Sequence, residues 1–127
     1  MKLHLNRPTE QNTFTAYGTD FVRVGQIQHR QSILVSAQAV MPWSAHTFAD
    51  LEIAHFTPLI ALKPAVVLLG TGSTLRFPHP RLTATLLQAG IGVEVMDIAA
   101  ACRTFNFLLA EGREVVAAIL LETSALP

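Results

Sequence analysis

The fold class that this sequence predicts is α/β, with antiparallel strands in its first 43 residues and a β-α-β-α-β arrangement after them. Two observations predict it. Up to Trp43, apolar and polar residues alternate with a period of two and glycines separate the runs, which is typical of antiparallel hairpins. Beyond Trp43, short apolar runs alternate with stretches whose apolar residues recur at helical spacing, which is typical of strands joined by helices.

The length and the apolar share of the chain favour one folded domain, which we expect to span residues 1–127. Folding at this length buries about two-thirds of the surface of the unfolded chain, so a core can form without disulfides. Half of the residues are hydrophobic and only 14% are charged. This composition excludes intrinsic disorder, which requires low hydrophobicity and a high net charge.

The charge balance and the lengths of the apolar runs exclude several classes of partner. Nine Lys and Arg residues balance nine Asp and Glu residues, so no bulk field attracts DNA or RNA. The longest apolar run, residues 115–121, is much shorter than the ~20 residues of a membrane-spanning helix. The first residues also lack the apolar stretch of a signal peptide. We therefore expect a cytoplasmic protein that binds no nucleic acid and does not span a membrane.

The first half of the chain is expected to consist of strands that form either an extra layer or an extension of a sheet. Polar side chains at Arg23, Gln28 and Arg30 indicate that one face of these strands is solvated. The strands are expected at residues 13–17, 21–24, 26–30, 32–36 and 39–41.

The second half begins with a helix expected over residues 50–62, whose regularity Pro58 limits. The run at residues 65–69 is apolar and β-branched without alternation, which indicates a strand buried on both faces. A helix over residues 81–89 is expected to end at Gly90, because glycine adopts the left-handed conformation that closes helices.

The C-terminal part continues with a strand over residues 91–96 and a helix over residues 98–110, for which Asp97 is a good N-cap. Gly112 ends that helix, and the last strand is expected over residues 114–121, followed by a polar tail. Connections of this kind are right-handed, so they place parallel strands side by side with the helices against the sheet.

The carboxyl ends of the predicted parallel strands carry the strongest candidate for a site, because ligands of open α/β sheets bind there. Gly70, Thr71 and Gly72 follow the first of these strands, and Asp97 follows the second. Two glycines allow positive φ and a close approach of the backbone, so N–H groups exposed there could hold an anion. The alternative is a tight turn at the strand exit that requires glycine for backbone reasons alone.

The glycine loop departs from both common nucleotide motifs. Leu75 stands at the third glycine position of a dinucleotide fingerprint, and the Gly-Lys-Ser/Thr of a P-loop is missing. Asp97 lies near where a ribose-binding acid would be, but its function as an N-cap explains it equally well.

Two charged residues near the strand ends admit two interpretations. Glu94 lies inside an apolar strand and Arg103 near the start of the last helix, so an ion pair between them would explain both. Alternatively, Arg103 recognises a phosphate or a carboxylate, and neighbouring polar residues extend that side of the helix. The candidate pocket then consists of Gly70, Thr71, Gly72, Glu94, Asp97, Arg103, Thr104 and Asn106.

No catalytic arrangement is evident, and we expect no catalytic residue, no cofactor and no metal. Cys102 near a helix N-terminus could act as a nucleophile, but it lies on the apolar stripe of its helix, which favours a buried small hydrophobe. As the single cysteine it also excludes an intramolecular disulfide. None of the five histidines pairs with another histidine at the spacing of metal ligands.

Three segments together resemble a known family: LLGTG at residues 68–72, GIGVEVMD at residues 90–97 and AACRTFN at residues 100–106. The family is that of mitochondrial complex I assembly factor three and of the adipogenesis-associated Mth938 domain-containing protein, and the match spans most of the chain. The resemblance implies a three-layer α/β fold with a mixed central sheet, no established enzymatic activity, and action through protein–protein contacts. Ile98 and Phe105 replace the Thr and Tyr common in the family, which removes two hydroxyl groups near the candidate pocket.

Two functions follow as hypotheses. In the first, the chain is a non-enzymatic interaction or assembly module with a protein partner of unknown identity, and it could also form a homo-oligomer. In the second, it is a small-molecule or anion-binding protein, or an unrecognised enzyme, whose site is formed by Gly70, Thr71, Gly72 and Arg103.

Overall fold

The computed structural model describes residues 10–122, and this range contains eight strands and three helices. The first half holds five strands: β1 (Phe14–Tyr17), β2 (Val22–Val24), β3 (Ile27–His29), β4 (Ile33–Val35) and β5 (Val40–Pro42). The second half holds α1 (Ile53–Leu62), β6 (Val66–Gly70), α2 (Pro80–Gln88), β7 (Gly92–Met96), α3 (Ile98–Ala110) and β8 (Val115–Ile119). Beyond Glu122, the expected polar tail lies outside the described residues.

Five strands form a mixed sheet in the order β5-β4-β8-β6-β7. β6 pairs in parallel with β7 on one side and with β8 on the other, as expected for strands joined by helices. β4 pairs antiparallel with β8, and β5 pairs antiparallel with β4. Every residue of β6 and β8 is buried, which explains why both runs are apolar without alternation.

The remaining strands, β1, β2 and β3, form a separate antiparallel sheet. Its register shifts between Phe14 and Ala16, where β1 carries a bulge. Both arrangements expected for the first half of the chain are present. Three of its strands form a second sheet, and the other two extend the main sheet.

The helices lie on opposite faces of the five-stranded sheet. Successive side chains of β6 alternate between the faces, so Leu68 packs in the cluster with Phe105 of α3, and Leu69 packs in the cluster with Phe56 of α1 and Leu86 of α2. The small sheet joins the α3 side. The structure therefore has the layered α/β fold with a mixed central sheet that the sequence and its resemblance predicted.

One pair of aromatic rings fixes the packing on each face. Phe14 of β1 meets Phe105 of α3 edge to face, with ring centroids 5.2 Å apart. On the other face Trp43 meets Phe56 of α1 in the same way at 5.9 Å, and the indole N–H of Trp43 donates a hydrogen bond to the carbonyl of His55 at 2.8 Å. Such pairs add specific geometry to the burial of apolar surface.

The helix ends follow from local chemistry. α3 has the expected bounds, and Gly90 and Gly112, which follow α2 and α3, have φ of 82° and 80°. α1 begins later than the expected residue 50, because the N–H of Glu52 donates to Nδ1 of His55 at 2.9 Å and so caps the helix there. Within residues 10–122, no helix has both the length and the apolar character needed to cross a membrane.

Candidate functional site

The Gly70–Gly72 loop lies at the carboxyl end of β6, where the sequence places it, and all three residues are buried. The carbonyl of Gly70 accepts a hydrogen bond from the N–H of Leu120 at 2.9 Å, and the carbonyl of Gly72 accepts one from the N–H of Ile98 at 2.8 Å. A Cβ on Gly70 would lie 3.2 Å from the Cβ of Ala101. The loop is therefore pressed between the last strand and the start of α3.

Thr71 is the centre of the hydrogen bonds in this loop, and its side chain is fully buried. Its N–H donates to the carbonyl of Met96 at 2.9 Å. Its hydroxyl donates to the carbonyl of Thr74 at 2.9 Å and accepts from the N–H of Arg76 at 3.0 Å. The loop thus uses this polar side chain to hold its own continuation, residues 73–76, rather than leaving it free for a ligand.

Arg76 fills the space beside Gly72. A Cβ on Gly72, which has a φ of 107°, would lie only 2.8 Å from Nη2 of Arg76. The same Nη2 donates to the carbonyl of Thr71 and lies 3.2 Å from Oε1 of Glu122. The guanidinium also lies over the ring of Phe48, 4.7 Å from its centroid. Arg76 and its partner Glu122 therefore occupy the space beside the loop where an anion could otherwise bind.

Glu122 completes this arrangement near the end of the described chain. Its Oε2 accepts a hydrogen bond from the N–H of Phe48 at 2.6 Å, while its Oε1 faces Arg76. The sequence patterns did not indicate a role for Arg76, Phe48 or Glu122. A signal existed in the loop itself, because Arg76 is the single charged residue between Gly70 and Pro78.

Asp97 acts as the N-cap of α3. Its Oδ1 accepts a hydrogen bond from the N–H of Ala100 at 2.8 Å. Because Ile98 donates to Gly72, this helix start and the Gly70–Gly72 loop are adjacent. The N-cap interpretation accounts for Asp97.

Arg103 and Glu94 do not form the ion pair that their positions in the sequence suggested. Among the described residues, Arg103 donates from Nη1 to the hydroxyl of Tyr17 at 3.2 Å, and this hydrogen bond raises the pKa of Arg103 above its usual range. Glu94 is exposed on β7, which is an edge strand of the main sheet. Arg103 has Tyr17 as its partner because the small sheet, which the sequence did not position, lies next to α3.

Asn106 joins α3 to the small sheet. Its Oδ1 accepts from the N–H of Phe14 at 2.9 Å, and its Nδ2 donates to the carbonyl of Phe14 at 2.9 Å. Thr104 is half-buried on the same helix. The eight candidate residues therefore lie on three parts of the fold: the loop with Asp97, the helix α3, and the edge strand β7.

Cys102 is buried in the core on the α3 side, as the apolar stripe predicted. Burial raises the pKa of its thiol to about 12. The thiol is therefore protonated at neutral pH and is a poor nucleophile, because the thiolate is the reactive form.

Two surface cavities of about 510 Å³ each lie away from the glycine loop. One lies at the amino-terminal end of the parallel strands, beside Lys63, Arg113 and Glu114. The other lies between β3 and β5. Within residues 10–122, no three His, Cys, Asp or Glu side chains cluster closely enough to hold a metal ion.

The fold and the filled loop define a layered α/β domain in which the strand ends are closed by the chain itself. The family model described as a protein of unknown function (DUF498/DUF598) matches residues 14–120, so the chain belongs to this family. Its structure is similar to the solution structure of a Mth938-like domain from Bordetella pertussis, with a TM-score of 0.80 and 32% identity over 99% of this chain and 96% of that one. The resemblance to the Mth938 type is thereby confirmed.

Two relatives show how far the similarity reaches. An uncharacterised protein of Rhodobacter capsulatus is 35% identical over 111 residues, which cover 87% of this chain and 86% of that protein. The NADH dehydrogenase [ubiquinone] 1 alpha subcomplex assembly factor 3 of Mus musculus is 38% identical over 85 residues, which cover 65% of this chain and 46% of that protein. The matched region thus spans about half the length of that assembly factor.

Proposed function

We propose that this domain is a non-enzymatic module, formed by residues 1–127 as one unit in the cytoplasm, that acts by contacting another protein. Assembly factors of the respiratory NADH dehydrogenase are among its relatives, which makes assembly of a protein complex the favoured role. The observation that carries the proposal is the exposure of apolar side chains on the loop that follows Gly72. In this loop, Phe77 is 71% exposed and Leu75 is 49% exposed.

The inner side of this loop supports the same interpretation. Thr71 and Arg76 fix the backbone of the loop to β7 and to Glu122, so Leu75 and Phe77 are carried by a segment with internal hydrogen bonds. A rigid loop loses little conformational entropy when a partner binds. More of the free energy gained by burying its exposed apolar side chains therefore appears as binding affinity. Aromatic residues are also enriched at the centres of protein interfaces.

The same geometry disfavours the alternative of an anion site at Gly70, Thr71, Gly72 and Arg103. The N–H of Thr71 already donates to Met96, and the guanidinium of Arg103 donates to Tyr17 of the small sheet. A thermal-shift screen with inorganic phosphate, nucleotides and dicarboxylates tests this alternative. A ligand that raises the Tm of the wild type and has no effect on Arg103→Ala would restore it, because only binding to the folded state raises Tm.

The proposal itself is tested by affinity capture with matched variants. Immobilised wild type, Phe77→Ser and Leu87→Ser are incubated with the same native extract, and bound proteins are quantified by mass spectrometry. Leu87 is the control because it is 59% exposed on α2, away from the loop. We expect a defined set of proteins to bind the wild type and Leu87→Ser equally. The amount of these proteins recovered on Phe77→Ser is expected to be at least tenfold lower. Equal recovery on all three baits would contradict the proposal.

A further inference from the structure

Three exposed side chains at positions i, i+4 and i+8 form a stripe on the outer face of α3 and its C-cap: Arg103 and Phe107 within the helix, and Glu111 as the C-cap residue. Residues four apart lie on the same side of a helix, so these three form one line along its surface. Phe107, at the centre of the line, is 63% exposed. The other sides of α3 are covered by the five-stranded sheet and by β1 of the small sheet, so this line is the part of the helix that faces outward.

The order of the charges along this line makes it complementary to the same line on a second, antiparallel copy of the helix. Arg103 lies four residues before Phe107 and Glu111 lies four residues after it, which places the opposite charges about 6 Å on either side of the ring along the axis. If a second helix of the same sequence lies antiparallel across Phe107, each Arg103 faces the Glu111 of the other helix. A two-fold axis generates this pairing, in which the same patch is used twice.

Neighbouring residues leave this line accessible. Ala110 is exposed beside it, and its small side chain lets a second helix approach closely. Neither of the two salt bridges found within residues 10–122 involves Arg103 or Glu111. The hydroxyl of Tyr17 accepts from Arg103 and holds the guanidinium at this surface, and Tyr17 adds a second partly exposed aromatic ring. Arg and aromatic residues are the side chains enriched at interface centres.

We propose that a second copy of this chain docks on this face, with α3 antiparallel to α3, Phe107 at the two-fold axis, and Arg103 paired with Glu111 of the second copy. The face is separate from the loop that carries Phe77, so this inference does not depend on the proposed function. Because the apolar contact is centred on one ring per copy, the dimer is expected to be of the weak or transient class, with an interface below about 1,200 Å².

Charge reversal with rescue tests the inference. Sedimentation velocity is measured across a concentration series for the wild type, Arg103→Glu, Glu111→Arg, and an equimolar mixture of these two variants. Each variant alone places like charges opposite each other, so each is expected to lose at least tenfold in association constant. In the mixture every pair is again of opposite sign, so a heterodimer is expected to form at least as tightly as the wild-type dimer, and salt is expected to weaken both.

Two further variants separate this surface from the others. Phe107→Ser is expected to abolish association, whereas Phe77→Ser, which tests the proposed function, is expected to leave it unchanged. Circular dichroism checks that each variant is folded, and the charge variants test the inference even if Phe107→Ser does not fold, because their positions are exposed. A wild type that stays monomeric throughout, a mixture that does not associate, or a dimer dissolved by Phe77→Ser instead of Phe107→Ser would overturn the inference.

Discussion

Nη2 of Arg76 lies 3.2 Å from Oε1 of Glu122, and this contact ties the loop after β6 to the end of the last described segment. The guanidinium rests on the ring of Phe48, and the same carboxylate accepts from the N–H of Phe48. Three distant parts of the sequence therefore meet around one side chain. They close the edge of the sheet where α/β proteins usually bind ligands.

Replacing Arg76 by Ala is expected to lower the free energy of unfolding by about 1–3 kcal/mol, because the carbonyl of Thr71 and the carboxylate of Glu122 lose their shared donor. Arg76→Lys is the matched control. It keeps the charge but not the planar fork, so it is expected to recover part of the loss. Urea unfolding measures both variants. A value for Arg76→Ala within about 0.5 kcal/mol of the wild type would show that the contact does not stabilise the fold.

Gly72→Ala is expected to destabilise the protein more than Gly90→Ala. Both residues have positive φ, so both variants carry the backbone strain of a left-handed conformation. Only at position 72 does the new Cβ meet another group, Nη2 of Arg76 at 2.8 Å, whereas nothing lies within 4 Å at position 90. The excess cost of Gly72→Ala is expected to disappear in an Arg76→Ala background, which a double-mutant cycle measures. Equal losses for both glycines, or an excess that survives in that background, would contradict the close approach.

Asn106→Ala is expected to cost about 1–3 kcal/mol of stability, because it leaves the N–H and the carbonyl of Phe14 without their side-chain partners. Thr104→Ala, two residues away on the same helix and half-buried, is expected to change stability little. Amide hydrogen exchange adds a local readout, since the loss of this contact is expected to speed exchange in β1 more than in β6. Uniform effects on both strands would argue against a specific connection between α3 and the small sheet.

The burial of Cys102 makes stability depend on pH in the alkaline range. Its pKa is about 12 in the folded protein against 9.0 for an ordinary thiol, so above pH 9 the unfolded chain loses a proton that the folded protein keeps. Stability is therefore unaffected by this group below pH 9 and falls as the pH rises from 9 toward 12. The difference in unfolding free energy between the wild type and Cys102→Ala isolates the contribution from other titrating groups. A difference that stays constant between pH 7 and pH 11 would contradict the prediction.

Much of the fold could be predicted because the relevant signals are local. The bounds of α3 follow from Asp97 at its start and Gly112 after its end, and the parallel strands follow from buried runs such as that of β6. The family resemblance added the antiparallel strand in the main sheet, which periodicity alone does not show. The division of the first half between two sheets depends on pairing over long sequence distances, as between β4 and β8, and no local pattern encodes it.

The candidate site could be located but not characterised from the sequence. Glycines at a strand exit identify the loop, yet whether such a loop is open depends on what the rest of the chain places against it. Here that is Arg76, from the loop itself, and Glu122 and Phe48, from segments distant in sequence. Arg103 donates a hydrogen bond to Tyr17 and forms no ion pair with Glu94 for the same reason, because the position of the small sheet determines the partner of Arg103.

The proposed role of the loop as a partner-binding surface is tested most directly by photo-cross-linking from its apolar tip. A photoreactive phenylalanine analogue is introduced at Phe77 and, as the control, at Leu87 on α2, and both proteins are irradiated in native extract. We predict that position 77 gives a discrete cross-linked protein that position 87 does not give. Excess unlabelled wild type is expected to reduce this cross-link by competition, whereas excess Phe77→Ser is not. Identical cross-link patterns from the two positions, or equal competition by Phe77→Ser, would contradict a partner-binding role for this loop.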